Sequence, residues 1–423
     1  MRPKQRLNGC DYLMLGFDHE LRRLGFSGNS CQIVLELGSR ISSEVLRKRL
    51  DTLLASHPIL CAQPCGVLVP KWKMPRPGVT GPRIRTHQHD PELRQRLFNE
   101  PIAANDGELM RFDLVERDGG RMDVIFTWAH SLMDARSAEY FLAVVGRAEL
   151  PLPDMNALPP ARPKITLRNR FKLAWKNLHQ LDGFCKAAPK SLGARRPDAP
   201  SSVRHRIDEF TAEETEQIRA NSVKLCGALR DAQYHATVGI VELHQLHQRL
   251  NFPSPSYVLP IPVGLRPKGR IEPLFSNQVI MLMIQFLPEH LGSVADAVAT
   301  LKAQTEQGMR AGLLDSAVIL AEMFRFLPLP IYTAVLKQGL RGEICSLFYG
   351  DTAAVNPAVT TFLGVPIEDF AHIASITPSP GIGMVFYYFR GLLRVTTLHS
   401  SKALTDEEAA DFSTRLRARL LNP

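Results

Sequence analysis

The sequence predicts an α/β protein of two lobes joined by a basic linker, and three observations support this fold class. Of the 423 residues, 45% are hydrophobic and 22% are charged, which is typical of a folded protein and excludes a disordered or collagen-like chain. Strand and helix patterns occur on both sides of one interruption. That interruption, residues 162–200, lies between proline-rich stretches that continue neither helices nor central strands. We therefore expect an N-terminal lobe over 1–161 and a C-terminal lobe over 201–423.

In the first half, the residue patterns predict a strand, a helix, a β-hairpin and a second helix. Alternating, β-branched residues indicate the first strand, and Ser42 or Ser43 can cap the helix after it. Asp118-Gly119-Gly120 is a turn sequence between two alternating segments, which is typical of a hairpin. The predicted strands are Cys31–Leu37, Leu109–Glu116 and Met122–Trp128, and the helices run from Ser43 to about His57 and from about Arg136 to Val145.

In the second half, two capping boxes predict where helices begin. Thr211 with Glu214, and Thr405 with Glu408, have the spacing at which each side chain accepts the other residue's backbone N–H. The second box starts a C-terminal helix over Asp406–Leu421. The remaining predicted elements are strands at Ser202–Phe210, Tyr257–Val263, Val279–Leu287, Met384–Phe389 and Leu392–Leu398, and a helix at Val294–Met309.

The net charge of +9 belongs to the linker. Residues 162–196 contain ten Lys or Arg and one acidic residue, Asp182, so the rest of the chain balances at 41 residues of each sign. A nucleic-acid-binding protein more often spreads positive charge over a folded face with interleaved aromatic residues. We therefore expect no nucleic-acid partner.

Apolar residues in the linker recur at heptad spacing and predict a basic amphipathic helix. Such a helix suits three roles, which the residues alone leave open. It can pack on the lobes as a crossover, lie on an anionic membrane surface, or bind an acidic carrier protein. The predicted apolar stripe is Leu167, Phe171, Ala174, Leu178, Leu181 and Cys185.

The most informative stretch for chemistry is Trp128–Ala135, where a strand ends and a helix is about to begin. His130 lies at this junction, and Asp134 follows it at H-x-x-x-D spacing. A neutral imidazole held at a fixed position is a good general base, because its pKa of about 6.5 is near operating pH. The spacing alone also fits a structural histidine at the end of a strand, with its hydrogen-bonding groups satisfied and no catalytic role.

The stretch Phe98–Leu142 resembles the corresponding region of the superfamily that includes chloramphenicol acetyltransferase, non-ribosomal peptide condensation domains, plant acyl-CoA-dependent acyltransferases and wax ester synthases. The hallmark of that superfamily is HHxxxDG after a hairpin. Further segments resemble its other motifs. These are Gly107–Arg111 for "gplfR", Val45–Leu60 for the first helix ending in "HPaL", Val258–Lys268 for "vPvdlR", Ser276-Asn277-Gln278 for "GN", and Thr360–Gly364 for "SNvpG".

The resemblance implies a fold of two chloramphenicol acetyltransferase-like lobes that form a pseudo-dimer around a central tunnel. It implies that His130 is catalytic, and that Asp134 is structural and pairs with Arg266, whose planar fork suits a carboxylate. Two residues depart from the family pattern. Ala129 replaces the first histidine, and Ala135 replaces the glycine after the aspartate. An alanine is tolerated at position 135 only if the backbone φ there is negative.

The resemblance also implies acyl transfer from an acyl-CoA or acyl carrier protein thioester to a hydroxyl-bearing acceptor, with no covalent enzyme intermediate. Coenzyme A or phosphopantetheine would then enter as part of a co-substrate, with no bound cofactor. His130 would take the acceptor's proton, and Thr360 or Thr361 could donate to the oxyanion. The alternative for the two threonines is an ordinary place in a strand.

Two rival functions stay open. One is a free-standing condensation enzyme that forms an amide or ester on carrier-bound substrates. The other is a non-catalytic homologue that binds an acyl chain, which Ala135 suggests.

No metal site is expected, because His244 and His247 lack a third ligand. The seven scattered cysteines predict reduced thiols. We expect a cytoplasmic location, with peripheral membrane contact among the linker's alternatives.

Overall fold

Two β-sheets, one in each lobe, organise the fold in the computed structural model. The structure describes residues 6–66, 68–75, 81–147, 149–150, 166–193, 195–338, 340–377 and 379–423. The predicted lobe boundary at residue 161 and the linker residues 162–165 lie outside this part of the chain. The division into lobes at residues 161 and 200 therefore stays a prediction.

The helices and strands follow the chain in this order. The first half contains α1 (Gly9–Arg23), β1 (Ser30–Leu37), α2 (Ser43–Ser56), β2 (Gln63–Cys65), β3 (Lys71–Lys73), β4 (Arg83–Gln88), α3 (Leu93–Phe98), β5 (Met110–Glu116), β6 (Met122–Ala129) and α4 (Ala135–Gly146). The second contains α5 (Leu167–Phe184), β7 (Val203–Glu209), α6 (Ala212–Cys226), α7 (Asp231–Arg249), β8 (Tyr257–Gly264), β9 (Val279–Phe286), α8 (Val294–Arg310), α9 (Leu313–Phe324), α10 (Leu329–Gln338), β10 (Phe348–Ala354), β11 (Thr361–Phe362), β12 (Val365–Ile373), β13 (Ile382–Phe389), β14 (Leu392–Ser400) and α11 (Asp406–Leu421).

The first sheet has six strands in the order β11-β12-β1-β6-β5-β4. The predicted hairpin is confirmed, since β5 and β6 pair antiparallel with Phe112 opposite Phe126. On the other side of β1, β12 pairs antiparallel with Ile33 opposite His372. A strand from the second half of the chain thus completes the sheet that carries the H-x-x-x-D motif.

The second sheet has the order β10-β13-β14-β7, and β8 and β9 form a separate antiparallel ribbon. Helices α6, α7, α8 and α11 contribute buried apolar residues to the core on this sheet. Both predicted capping boxes are confirmed at the starts of α6 and α11. In each, the threonine Oγ1 accepts from the glutamate N–H, and the glutamate carboxylate accepts from the threonine N–H.

Helix α1 has no counterpart among the predicted elements. Gly9 lies so close to α9 that a Cβ there would sit 2.5 Å from the backbone carbonyl carbon of Ala321, and a Cβ at Gly16 would sit 2.8 Å from the ring of Tyr332. Glycines weaken the helix signal of a sequence because they favour other conformations. Here they allow α1 to pack closely against two later helices.

The linker contains one long helix, α5, which packs against α9. The Ser316 hydroxyl donates to the Leu173 carbonyl, Lys176 Nζ donates to the Ala311 carbonyl at 3.3 Å, and Gln180 Nε2 donates to the Met283 carbonyl at 3.2 Å. These contacts are those of a crossover helix, one of the three predicted roles.

The predicted apolar stripe of α5 is wrong in its first two members, because Leu167 and Phe171 are exposed. The buried side chains of the helix are Ala174, Asn177 and Phe184. The heptad spacing misplaced the stripe because burial on α5 depends on where the helix contacts α9. The first turns of α5, which carry Leu167 and Phe171, precede that contact. Among the described residues, no helix combines the length and apolar character needed to cross a bilayer.

The buried carboxyl group of Glu139 on α4 predicts a pH-dependent stability. Burial raises its pKa to about 8 from an ordinary value of 4.5, and its Oε2 accepts from the Asn356 N–H at 3.0 Å. Because the folded protein holds this proton more tightly than the unfolded chain does, its contribution to stability is complete below pH 4.5 and is lost as the pH rises through 8.

We therefore expect Glu139→Gln to resemble wild type in thermal unfolding at pH 5 and to be more stable than wild type at pH 9. The exposed Glu44→Gln variant is the matched control and should follow wild type at both pH values. Parallel melting temperatures of wild type and Glu139→Gln across this range would contradict the assignment.

Candidate active site

His130 lies in the turn between the end of β6 and the start of α4. Its backbone N–H donates to the Asn29 carbonyl at 2.9 Å, and its backbone carbonyl accepts from Asn277 Nδ2 at 2.8 Å. The backbone on both sides of the imidazole is therefore fixed by other segments. The residue is half-buried.

The surroundings of His130 favour a neutral imidazole. Burial lowers the pKa of the ring from its ordinary value of 6.5, because a charged imidazolium is poorly solvated there. The histidine's own backbone carbonyl and the carboxylate of Asp134 act in the opposite direction but more weakly. At neutral pH the ring therefore has a nitrogen lone pair available to accept a proton.

Asp134 is the N-cap of α4, and its carboxylate is fully engaged. Oδ1 accepts from the Ser137 N–H at 3.1 Å. Oδ2 accepts from Arg266 Nη1 at 2.6 Å and from the Gln278 N–H at 3.0 Å. Among the described residues, no hydrogen bond joins this carboxylate to the His130 ring. Asp134 therefore organises the helix start and the neighbouring loop, and it does not orient the imidazole directly.

Arg266 follows β8 and is itself almost saturated with hydrogen bonds. Nε donates to the Ile271 carbonyl at 2.9 Å, and Nη2 donates to Ser137 Oγ at 2.7 Å. Nη2 also reaches the carbonyls of Pro273 and Ser276, both at 3.1 Å. The pair with Asp134 is buried but monodentate, whereas the planar fork alone suggested two parallel bonds. The second nitrogen is used to bind Ser137 and the loop.

Ala135, which replaces the family's glycine, is the first residue of α4. An alanine fits there because a helical residue has a negative φ. The change that placed activity in doubt at the sequence level therefore causes no backbone strain.

Sequence reasoning missed Asp11, which supports the site from α1. Its Oδ1 accepts from the Asn277 N–H at 2.6 Å and from Asn277 Nδ2 at 3.2 Å. Burial raises the pKa of this carboxyl group to about 7, although the hydrogen bonds from Asn277 and Asn8 oppose that shift. Asp11 thus fixes the amide that holds the His130 carbonyl. The only sequence signal nearby was Ser276-Asn277-Gln278.

A second histidine, His372 on β12, was also missed. Its ring packs edge-on against Trp128 with 6.1 Å between centroids. Burial, assisted by His130, lowers its pKa to about 4, so it is neutral at physiological pH. Within the described part of the chain, neither ring nitrogen has a hydrogen-bond partner. The pairing of β12 with β1 brings this residue to the site, and no local motif marks it.

The structure places Thr360 and Thr361 near the end of α4, and their role as oxyanion donors stays a prediction. The backbone there lies against Gly146, since the Leu363 N–H donates to the Gly146 carbonyl at 2.9 Å. Gly146 ends α4, whereas His130 precedes its first turn, so the two places are separated by the length of a twelve-residue helix, roughly 18 Å. The threonines belong to the edge of the first sheet.

No family model and no curated protein sequence matches the chain. Solved structures do. The first condensation domain of the CDA synthetase superposes with a TM-score of 0.70 at 16% identity, over 99% of this chain and 96% of that one. A trichothecene 15-O-acetyltransferase from Fusarium sporotrichioides gives 0.71 at 11% identity, over 99% and 95%. The chain has the condensation-domain fold.

This fold confirms the predicted α/β class of two chloramphenicol acetyltransferase-like lobes. A mutant starter condensation domain of rhizomide synthetase, in complex with C8-CoA and Leu-SNAC, superposes with a TM-score of 0.64 at 11% identity, over 99% of this chain and 94% of that one. Likeness at such identities establishes the fold alone. The pseudo-dimer, the tunnel and the roles of individual residues stay predictions.

The buried ion pair between Asp134 and Arg266 predicts a strong energetic coupling. Removing one partner leaves the other charged and desolvated, at a cost of about 3–5 kcal/mol in the free energy of unfolding. We expect Asp134→Asn and Arg266→Leu each to destabilise the protein, and the double variant to lose less than the sum of the two, as measured by chemical denaturation.

The exposed pair Glu306–Arg310 on α8 provides the control for this cycle. The same cycle there, with Glu306→Gln and Arg310→Leu, should give a coupling of at most about 1 kcal/mol. Additive losses for Asp134 and Arg266 would show that the two groups do not stabilise each other.

Proposed function

We propose that this protein is an acyltransferase that moves an acyl group from a thioester to a hydroxyl-bearing acceptor, with His130 as general base and no covalent intermediate. The observation that carries the proposal is the state of His130. Its backbone is fixed at the junction of β6 and α4, and burial lowers its pKa so that the ring is neutral. A base in this state can accept a proton at physiological pH.

The proposed reaction has two proton transfers and one acyl transfer. His130 accepts the proton of the acceptor hydroxyl as the oxygen attacks the thioester carbonyl carbon. The tetrahedral intermediate then collapses, the carbon–sulfur bond breaks, and the imidazolium returns its proton to the leaving thiolate. The low pKa of His130 assists this last step, because burial disfavours the charged imidazolium.

In this proposal Asp134 and Arg266 are positioning residues. The carboxylate already accepts three hydrogen bonds, so it has no free role as a proton acceptor. Together with Asn277, the ion pair would hold the turn on which His130 lies while substrates bind and leave. Donor and acceptor would approach His130 from the two ends of a tunnel between the lobes.

Acyl-CoA or an acyl carrier protein is the proposed donor. Both present the acyl group as a thioester of phosphopantetheine, and a starter condensation domain of this fold has been solved with C8-CoA and Leu-SNAC. The trichothecene 15-O-acetyltransferase of the same fold favours, by analogy, a hydroxyl as the acceptor.

The second candidate is a free-standing condensation enzyme that forms an amide or ester on carrier-bound substrates, which the condensation domains of this fold favour by analogy. Mass spectrometry of products from acyl-CoA thioesters and from acylated carrier protein would separate the two functions. A protein that binds acyl thioesters and yields no product from either would favour the third candidate, a non-catalytic acyl-binding homologue.

The catalytic role of His130 predicts a large loss of turnover on substitution. His130→Ala should lower the rate of thiol release from the accepted acyl thioester by about 10²–10⁴, and the melting temperature should change little, because the backbone hydrogen bonds remain. His89→Ala, at an exposed histidine, is the matched control and should retain activity. A folded His130→Ala variant with near-wild-type turnover would end the assignment.

The lowered pKa of His130 also predicts the shape of the pH profile. The base form is the unprotonated ring, so kcat/KM for acyl transfer should stay constant from pH 8 down to pH 7 and fall only at acidic pH. The midpoint of that fall should lie below 6.5, the ordinary value. A midpoint at or above that value, measured for the free enzyme, would show that burial does not govern this group.

A further inference from the structure

The first half of α5 presents an exposed apolar stripe that no other described element covers. Leu167, Phe171 and Trp175 are 68%, 58% and 70% exposed. Because they recur every four residues, they lie along one side of the helix over a length of about 12 Å. The side of the helix next to this stripe packs against α9, with Ala174 and Asn177 buried. Large apolar side chains at this level of exposure usually mark an interaction site.

Positive charge borders this stripe. Arg168, Arg170, Lys172 and Lys176 are all exposed, and among the described residues none of the four is in an ion pair. Their charge is opposed nearby by Asp182, in the last turn of α5, and by Asp315 at the start of α9. Lys176 Nζ donates to the Ala311 carbonyl at 3.3 Å, a neutral group that leaves the positive charge uncompensated. The four charges are therefore available to an anionic partner. We call the three apolar and four basic residues together the α5 surface.

We propose that the α5 surface binds the anionic headgroup region of a lipid bilayer, with α5 lying in the plane of the membrane. An in-plane helix of this kind buries apolar side chains among acyl chains, while flanking Lys and Arg contact lipid phosphates. Trp175 suits the membrane interface, where tryptophan rings are enriched, and Phe171 and Leu167 are typical of the apolar face of an in-plane helix.

A lipid surface fits these observations better than an acidic protein does. The stripe is convex, since it projects from a single helix, and a soft bilayer can receive it without a matching groove. An acidic carrier protein would neutralise the cations but would leave the aromatic rings in water unless it also presented an apolar groove. Binding to such a protein, with no binding to lipid, is the outcome that would replace this proposal.

The experiment is co-sedimentation of the full chain with vesicles of two compositions. One is phosphatidylcholine alone, and the other contains roughly a third phosphatidylglycerol. Wild type should bind the anionic vesicles at least about ten-fold more tightly than the neutral ones, and high salt should weaken that binding. A charge variant (Arg168→Gln, Arg170→Gln, Lys172→Gln, Lys176→Gln) should lose about ten-fold or more in affinity, because each cation strengthens binding to an anionic leaflet several-fold.

The control variant removes the same number of positive charges from other exposed positions, with no ion pair among the described residues at any of them. Its binding to anionic vesicles should stay within about three-fold of wild type. The positions changed to Gln are Lys48, Arg121, Lys224 and Lys268.

Tryptophan fluorescence provides a second readout at the stripe itself. Of the three tryptophans, Trp72 and Trp128 are buried and Trp175 is exposed. A blue shift on addition of anionic vesicles, absent in Trp175→Phe, would therefore report insertion of α5. Phe171→Ser with Trp175→Ser should weaken binding and leave the fold intact, because neither side chain is in the core. Equal sedimentation of wild type and charge variant, or no binding of wild type to anionic vesicles, would overturn the proposal.

Discussion

The buried ion pair between Asp134 and Arg266 is the interaction on which the arrangement of the site depends. Asp134 caps the helix that follows His130, and Arg266 lies in the segment after β8, so the pair joins two distant parts of the chain. Two charges out of water are tolerated only when their hydrogen-bonding groups are satisfied. Here Ser137, Gln278 and loop carbonyls supply those bonds. Because the two buried charges need these hydrogen bonds, they fix the positions of the groups that form the turn.

The same segment also determines the surroundings of His130. Asn277 holds the His130 carbonyl, and Asp11 on α1 holds Asn277. Three separate stretches of the chain thus meet around a single imidazole, and their packing partly buries the ring and lowers its pKa. Support and chemistry are therefore distinct. The charged pair stabilises the turn, whereas the proposed base, His130, is a neutral group because burial lowers its pKa.

Local patterns predicted much of the fold and the centre of the site. The capping boxes, the hairpin and the turn with His130 and Asp134 are short-range features of the sequence. Arg266 was identified because Val258–Lys268 resembles a motif of the superfamily. What the sequence could not show depends on distant pairing. His372 lies near His130 because β12 pairs with β1, and Thr361 lies at the edge of the sheet because β11 pairs with β12. Asp11 acts through a helix whose glycines obscured its pattern. Which face of α5 is exposed depends on how the helix packs against α9, and the heptad spacing of the sequence does not predict that packing.

Acyl transfer at His130, as proposed above, can be checked with a crystal structure of the protein bound to a non-hydrolysable acyl-thioester analogue. We expect the carbonyl carbon of the analogue to lie beside the imidazole, in the position that an attacking oxygen hydrogen-bonded to His130 could reach. We also expect the ion pair between Asp134 and Arg266 to be unchanged from the free protein. An analogue bound with its carbonyl remote from His130, in a protein that is nevertheless active, would show that acyl transfer takes place elsewhere.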